Sequence, residues 1–192
     1  MANSKTLKTA IEMIKAAKNP LVSIASGANR HTATKSITKF IDQSGLYFFT
    51  TQMGKGVVDE RHPKCLGTSA LSENDYLHCA IDRADLIINI GHDVSEKPPF
   101  FMSEESGKKV IHVSYFPAEM DDVYFPQLEV LGCTAENISK LGDLLEGQDG
   151  KNEYFEKVKA EIDKNVYAKS DCLLYTSPSP RDATLSRMPS SA

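Results

Sequence analysis

The chain has 192 residues, a length at which one domain can bury a substantial core but into which a large two-domain enzyme does not fit. Its 22 basic and 26 acidic residues give a formal net charge of −4 at pH 7, without the basic block that a nucleic-acid partner requires. The sequence contains no apolar run of about 20 residues and no signal-peptide core, so we expect a cytoplasmic protein with no membrane partner.

The first part of the chain alternates helical and strand patterns. Apolar residues recur at helical spacing after Ser4, a residue type that caps helices, and this predicts a helix over residues 5–18. The apolar run at residues 21–25 predicts a strand, and a second helical pattern follows through Ile37 and Phe40. The order is therefore helix, strand, turn and helix.

The same alternation continues along the chain. Further strands are predicted at 46–50, 86–90, 109–113 and 128–131, and further helices at 75–83, 134–145 and 152–163. The strand segments are mostly apolar rather than strictly alternating, which is typical of strands covered on both faces. We therefore predict a Rossmann-like three-layer α/β domain of the NAD- or FAD-binding kind, with five or six parallel strands.

Composition divides the chain into three parts. Residues 1–148 carry the strand and helix patterns, and residues 149–171 are predicted to form a charged helical linker. Residues 172–192 are rich in Ser and Pro and are predicted to be disordered. Their beginning, CLLYTSPSPRD, resembles a translated sequencing-library adapter, so we leave this segment out of the functional interpretation. A natural Ser/Pro tail is the alternative, and sequencing the source DNA separates the two.

Candidate site residues lie where the predicted strands end, since ligands of open parallel sheets bind beyond the carboxyl ends of the strands. Gly27 follows the first strand, Thr51, Gln52 and Gly54 follow the second, and Gly91 follows the strand at 86–90. We predict that these residues face a nucleotide-binding crevice. Neither GxGxxG nor GxxxxGK[ST] occurs in the sequence, and each glycine taken singly is also explained by a tight turn.

Other residue types give no site. The four cysteines form no CxxC pair, which favours buried free thiols over zinc ligands or a structural disulfide. The histidines are too scattered to predict a metal site. We assign no catalytic residue and no metal ligand.

Five segments in succession resemble the central domain of thiamine-diphosphate-dependent enzymes, above all that of the acetolactate synthase large subunit. They are PLVSIASGA, TTQMGKGVVDERHP, ADLIINIG, KVIHV and LEVLG, and they lie in family order between residue 20 and about residue 145. Each segment alone is a weak signal, whereas the succession is specific. The resemblance implies that TTQMGKGVVDERHP shapes a crevice rather than carrying out chemistry.

The departures from this family concern its flavin-containing members. Those members have a glycine-rich turn after the first strand, of which this chain keeps Gly27, and an Arg-x-Asp-Asp-Arg run that corresponds here to DVSEK at 93–97. Ser114 and Cys133 stand where the family commonly has acids. These four differences make FAD doubtful as a cofactor, and the sequence looks nearer to the flavin-free, catabolic acetolactate synthases.

The resemblance also implies a larger enzyme around this domain. A flanking pyrimidine-binding domain and a diphosphate-binding domain would hold thiamine diphosphate and magnesium, and the full-length enzyme would form a homodimer or homotetramer. It would decarboxylate pyruvate and join the product to a second 2-keto acid, as in branched-chain amino acid biosynthesis, while this chain alone would be inactive. The alternatives are a free-standing FAD- or NAD-binding module, and a thiamine enzyme acting on oxalyl-CoA, glyoxylate or sulfoacetaldehyde.

Overall fold

The computed structural model describes residues 2–69, 76–93, 96, 101–120, 122–147 and 152–165. The strands in these residues are β1 Pro20–Ile24, β2 Tyr47–Thr51, β3 Cys65–Ser69, β4 Leu86–Ile90, β5 Lys109–Ser114 and β6 Leu128–Leu131. The α-helices are α1 Ser4–Ala16, α2 His31–Ser44, α3 Tyr76–Arg83, α4 Thr134–Leu145 and α5 Glu153–Asn165. The segment predicted to be a disordered tail, 172–192, lies outside the described residues.

All six strands form one parallel sheet in the order β3-β2-β1-β4-β5-β6. The chain builds outwards from β1 to one edge, returns to the centre at β4, and then builds outwards to the other edge. The order therefore reverses between β1 and β4. This arrangement confirms the predicted Rossmann-like α/β fold with a parallel sheet.

The sheet is covered by helices on both faces, because its central strands are apolar at consecutive positions. All five residues of β4 are buried. Ile88 packs into a cluster with residues of α1, α2 and α4, whereas its neighbour Ile87 packs into a second cluster with residues of α3 and α5. Successive side chains of a strand point to opposite faces, so one apolar run supplies both interfaces. The helices in the described residues include none that is long and apolar enough to cross a membrane.

Two local features differ from the sequence-based expectation. The strand β3 was not predicted, because its sequence CLGTS has buried residues only at Cys65 and Leu66, and because its ladder with β2 is irregular. The cap of α1 is Asn3 rather than Ser4, since the Asn3 side chain accepts a hydrogen bond from the backbone N–H of Lys5 at 2.9 Å.

The helix α5 lies in the segment predicted to be a charged linker, and it packs against the domain. Its buried residues Phe155, Val158 and Ile162 belong to the same apolar cluster as α3. The ring of Phe155 lies 5.7 Å from that of Tyr47 on β2, centroid to centroid. The proposed boundary after residue 148 stays a prediction, but α5 contributes to the core.

Candidate functional site

The candidate site lies at the carboxyl edge of the sheet, where the strand order reverses between β1 and β4. Loops leaving neighbouring strands at such a point usually diverge and open a crevice for a ligand. Here the two loops remain paired beyond the strands. Ala25 N–H donates to the carbonyl of Ile90 at 2.9 Å, and Gly27 N–H donates to the carbonyl of Gly91 at 2.8 Å.

Glycine is required on both sides of this contact. A Cβ atom on Gly27 would lie 2.9 Å from the carbonyl oxygen of Gly91. Gly91 has a φ of +73°, which side chains rarely adopt, and a Cβ there would overlap the backbone nitrogen of Ala28. The two loops can therefore approach each other this closely only because both residues are glycines.

The turn after β2 packs against the same place. A Cβ on Gly54 would overlap the carbonyl oxygen of Ile24, at the end of β1. Gly54 N–H donates to the hydroxyl oxygen of Thr51 at 3.1 Å, and the Asn29 side-chain amide donates to the carbonyl of Met53 at 3.3 Å. The loops after β1, β2 and β4 thus meet at one edge.

Four of the five predicted site residues are brought together by this geometry. Gly27, Thr51, Gly54 and Gly91 lie at the junction of the three loops, whereas Gln52 is exposed on the turn after β2. Their role in nucleotide binding stays a prediction.

The sequence-based set lacks one residue that occupies the junction, Glu96. Its Oε1 accepts a hydrogen bond from the Thr51 hydroxyl at 2.5 Å, and its Oε2 accepts one from the Ser26 backbone N–H at 3.4 Å. The only sequence signal for this residue is its place in DVSEK, where flavin-containing members have an arginine-rich run. A carboxylate therefore links the ends of β1 and β2.

The half-buried position of Glu96 affects its ionisation. Burial raises the pKa of the Glu96 carboxyl above its usual range, and the negative charge of Asp93 adds to the rise. The hydrogen bonds from Thr51 and Ser26 favour the charged form and act in the opposite direction, but burial is the larger effect. The ionised form of Glu96 consequently lowers the stability of the folded state.

The backbone amides of the turn after β1 are already engaged. Consecutive N–H groups from residue 25 to residue 30 all donate to acceptors within the protein. Besides the three described above, Ala28 donates to Ala25, Asn29 to Ser26 and Arg30 to Ala28, at 2.8 to 3.0 Å. A phosphate group could bind these amides only if one of the existing bonds broke.

The long loop between β2 and β3 is anchored in the core rather than open to a ligand. Val57 and Val58 are each only 1% exposed and belong to the apolar cluster beneath α2. Lys55, the lysine between two glycines, forms an exposed ion pair with Glu60, with 3.6 Å from Nζ to Oε1. The loop therefore packs against the core, and its lysine is paired with a carboxylate at the surface.

A series of hydrogen bonds between buried polar groups connects Asn89 on β4 and His112 on β5 with Tyr124. The carbonyl of Phe116 can only accept, so His112 Nε2 carries the proton in their 3.0 Å hydrogen bond. Burial lowers the pKa of His112, so its Nδ1 is unprotonated and accepts from the Tyr124 hydroxyl at 2.8 Å. Tyr124 in turn accepts from the Asn89 amide at 3.4 Å. These contacts hold Phe116 and Tyr124 against β4 and β5.

Among the described residues, no group of three or more His, Cys, Asp and Glu side chains could hold a metal ion. Magnesium requires several oxygen ligands around it, supplied by carboxylates, water and substrate phosphates.

Comparison with protein families matches residues 7–141 to the model described as "Thiamine pyrophosphate enzyme, central domain". The acetolactate synthase large subunit of Pyropia yezoensis is 30% identical over 143 residues, which cover 74% of this chain and 24% of that protein. Pyruvate decarboxylase of Candida glabrata is 37% identical over 97 residues, covering 50% of this chain and 17% of that protein. The pyruvate decarboxylase of Kluyveromyces marxianus is 28% identical over 149 residues, covering 76% and 26%. The chain thus spans about a quarter or less of the length of these relatives.

The packing of Gly54 on β1 predicts the effect of a small substitution. Gly54→Ala should lower the free energy of unfolding by about 1–3 kcal/mol, because the atoms that the new Cβ meets are backbone atoms and cannot easily give way. Gln52→Ala, an exposed position in the same turn, should change it by less than about 0.5 kcal/mol. Urea denaturation of both variants measures this difference. Equal stability of the two would contradict the close packing.

The raised pKa of Glu96 predicts a pH dependence of stability. The folded state binds the Glu96 proton more tightly than the unfolded state does, so its contribution is most favourable below the ordinary value of 4.5 and declines as the pH rises through the folded-state pKa. Glu96→Gln removes this decline. The melting temperature of Glu96→Gln relative to the original chain should therefore rise between pH 4.5 and neutral pH. Parallel melting curves across this range would show that Glu96 has an unshifted pKa.

Proposed function

The chain belongs to the family of thiamine pyrophosphate enzyme central domains, and we propose that it is the scaffold domain of an acetolactate synthase-like enzyme. The observation that carries this proposal is the extent of the match, which runs from α1 into α4 and so includes the entire sheet. The acetolactate synthase relative matches over 143 residues of the same region. The substrate would be pyruvate, and the acceptor a second 2-keto acid.

The residues at the sheet edge support a scaffolding role rather than a catalytic one. Thiamine diphosphate, when bound, supplies the electron sink for decarboxylating a 2-keto acid. The junction in this chain offers glycine backbone and engaged amides, and the described residues include no set of metal ligands. Segments outside the described residues would have to hold the diphosphate and its magnesium ion.

We propose that those segments are a pyrimidine-binding and a diphosphate-binding domain, and that the full-length enzyme is a cytoplasmic homodimer or homotetramer. The coverage supports this view, since the chain corresponds to only 24% of the acetolactate synthase relative. Thiamine diphosphate and magnesium would then lie between domains, with the sheet of this chain holding its neighbours at a fixed distance. FAD is not part of the proposal.

A pyruvate decarboxylase-like enzyme is the second candidate. The relative of that name in Candida glabrata has the higher identity, 37%, but over a shorter stretch of 97 residues. The two reactions lose carbon dioxide from pyruvate alike and differ in what then adds to the remaining two-carbon unit. A second pyruvate gives acetolactate, whereas a proton gives acetaldehyde.

The products separate the two candidates. The purified chain, given pyruvate, thiamine diphosphate and magnesium, should form neither acetolactate nor acetaldehyde, because its described residues lack a metal site. The complete gene from the same source, expressed and supplied identically, should form acetolactate as its main product.

Acetaldehyde as the main product would select the decarboxylase instead. Product formation by the isolated chain would contradict the scaffold role itself. Chromatography of the products after acidification and a colour test for acetoin distinguish these outcomes.

A further inference from the structure

The carboxylate of Glu96 stands where a nucleotide-binding sheet of this topology would place a phosphate. In such sheets the diphosphate lies against the backbone amides of the turn that follows the first strand, at the reversal of strand order. In this chain the amide of Ser26, in that turn, donates to Glu96 Oε2 at 3.4 Å. The carboxylate of Glu96 therefore already occupies the place beside this amide where a phosphate would bind.

The second carboxylate oxygen is held from the other side of the junction. Glu96 Oε1 accepts from the Thr51 hydroxyl, whose oxygen accepts in turn from the Gly54 N–H at 3.1 Å. The backbone N–H of Glu96 donates to the carbonyl of Asp93 at 3.1 Å. Glu96 is thus seated by contacts from the ends of β1, β2 and β4.

We propose that Glu96 helps to close the sheet edge between β1 and β4 to dinucleotides such as FAD and NAD, because its carboxylate occupies the position beside Ser26 that a diphosphate would take. This exclusion does not depend on the thiamine chemistry proposed above.

Two physical effects act together in this exclusion. A phosphate brought to the Ser26 amide would face a half-buried carboxylate, and like charges placed together without an intervening cation strongly disfavour binding. The phosphate would also find the neighbouring amide engaged, since Gly27 N–H is bonded to Gly91. Displacing Glu96 would require breaking its hydrogen bonds to Ser26 and Thr51.

Charge neutralisation at this one position tests the proposal. The chain, Glu96→Gln and Asp93→Asn are each titrated with ADP by isothermal calorimetry and with FAD by fluorescence, at about 0.15 M ionic strength. The chain itself should bind either ligand with a dissociation constant above about 1 mM. Glu96→Gln should bind ADP at least about tenfold more tightly, because the repulsion is gone. Asp93→Asn removes an exposed charge that acts on the Glu96 carboxyl less strongly than burial does, so it should give a smaller gain in affinity, less than about threefold.

Three results would overturn the proposal. They are binding of FAD or ADP by the unaltered chain at micromolar concentration, no gain in Glu96→Gln, and an equal gain in Asp93→Asn. Melting curves show whether each variant is folded. Should Glu96→Gln not fold, Glu96→Ala takes its place, since the half-exposed side chain can be truncated without leaving a sealed cavity, and the same gain is expected of it.

Discussion

A backbone hydrogen bond, 2.8 Å from the Gly27 nitrogen to the Gly91 carbonyl oxygen, joins the two loops that leave the sheet at its reversal point. The bond exists because neither residue has a Cβ: each would meet the other loop's backbone if it did. It prolongs the ladder of β1 and β4 beyond the strands. The loops of an open α/β sheet, which usually part to admit a ligand at this place, are held together here.

That constraint supports the proposed scaffold role of this Rossmann-like sheet. The two apolar clusters fix α1, α2 and α4 on one face and α3 and α5 on the other, and the joined loops fix the carboxyl edge. With Glu96 bridging the ends of β1 and β2, each side of the junction is tied to its neighbours. The helices on both faces and the carboxyl edge of the sheet are therefore held in place by separate sets of contacts.

The fold could be predicted from the sequence more fully than the site. The fold is signalled by local patterns, whereas the site depends on contacts between residues that are far apart in the sequence. Apolar runs such as 86–90 and the helical period of α2 are local, and they were sufficient for the parallel sheet. The strand β3 has only two buried residues and was missed. Gly27, Gly54 and Gly91 could be placed from the strand ends alone. Glu96 could not, since its partners Thr51 and Ser26 are 45 and 70 residues away and no local pattern reports such contacts.

Hydrogen exchange of the Gly27 amide tests the closed edge most directly. In an isotopically labelled sample of the chain, the Gly27 amide should exchange as slowly as an amide within β1 such as Ser23, because Ser23, Ala25 and Gly27 are alternate residues whose backbone faces β4. The exposed Gln52 in the turn after β2 gives the rate of an open loop. Exchange of Gly27 at the rate of Gln52 would mean that the loops part in solution, and the account of a sealed junction would be wrong.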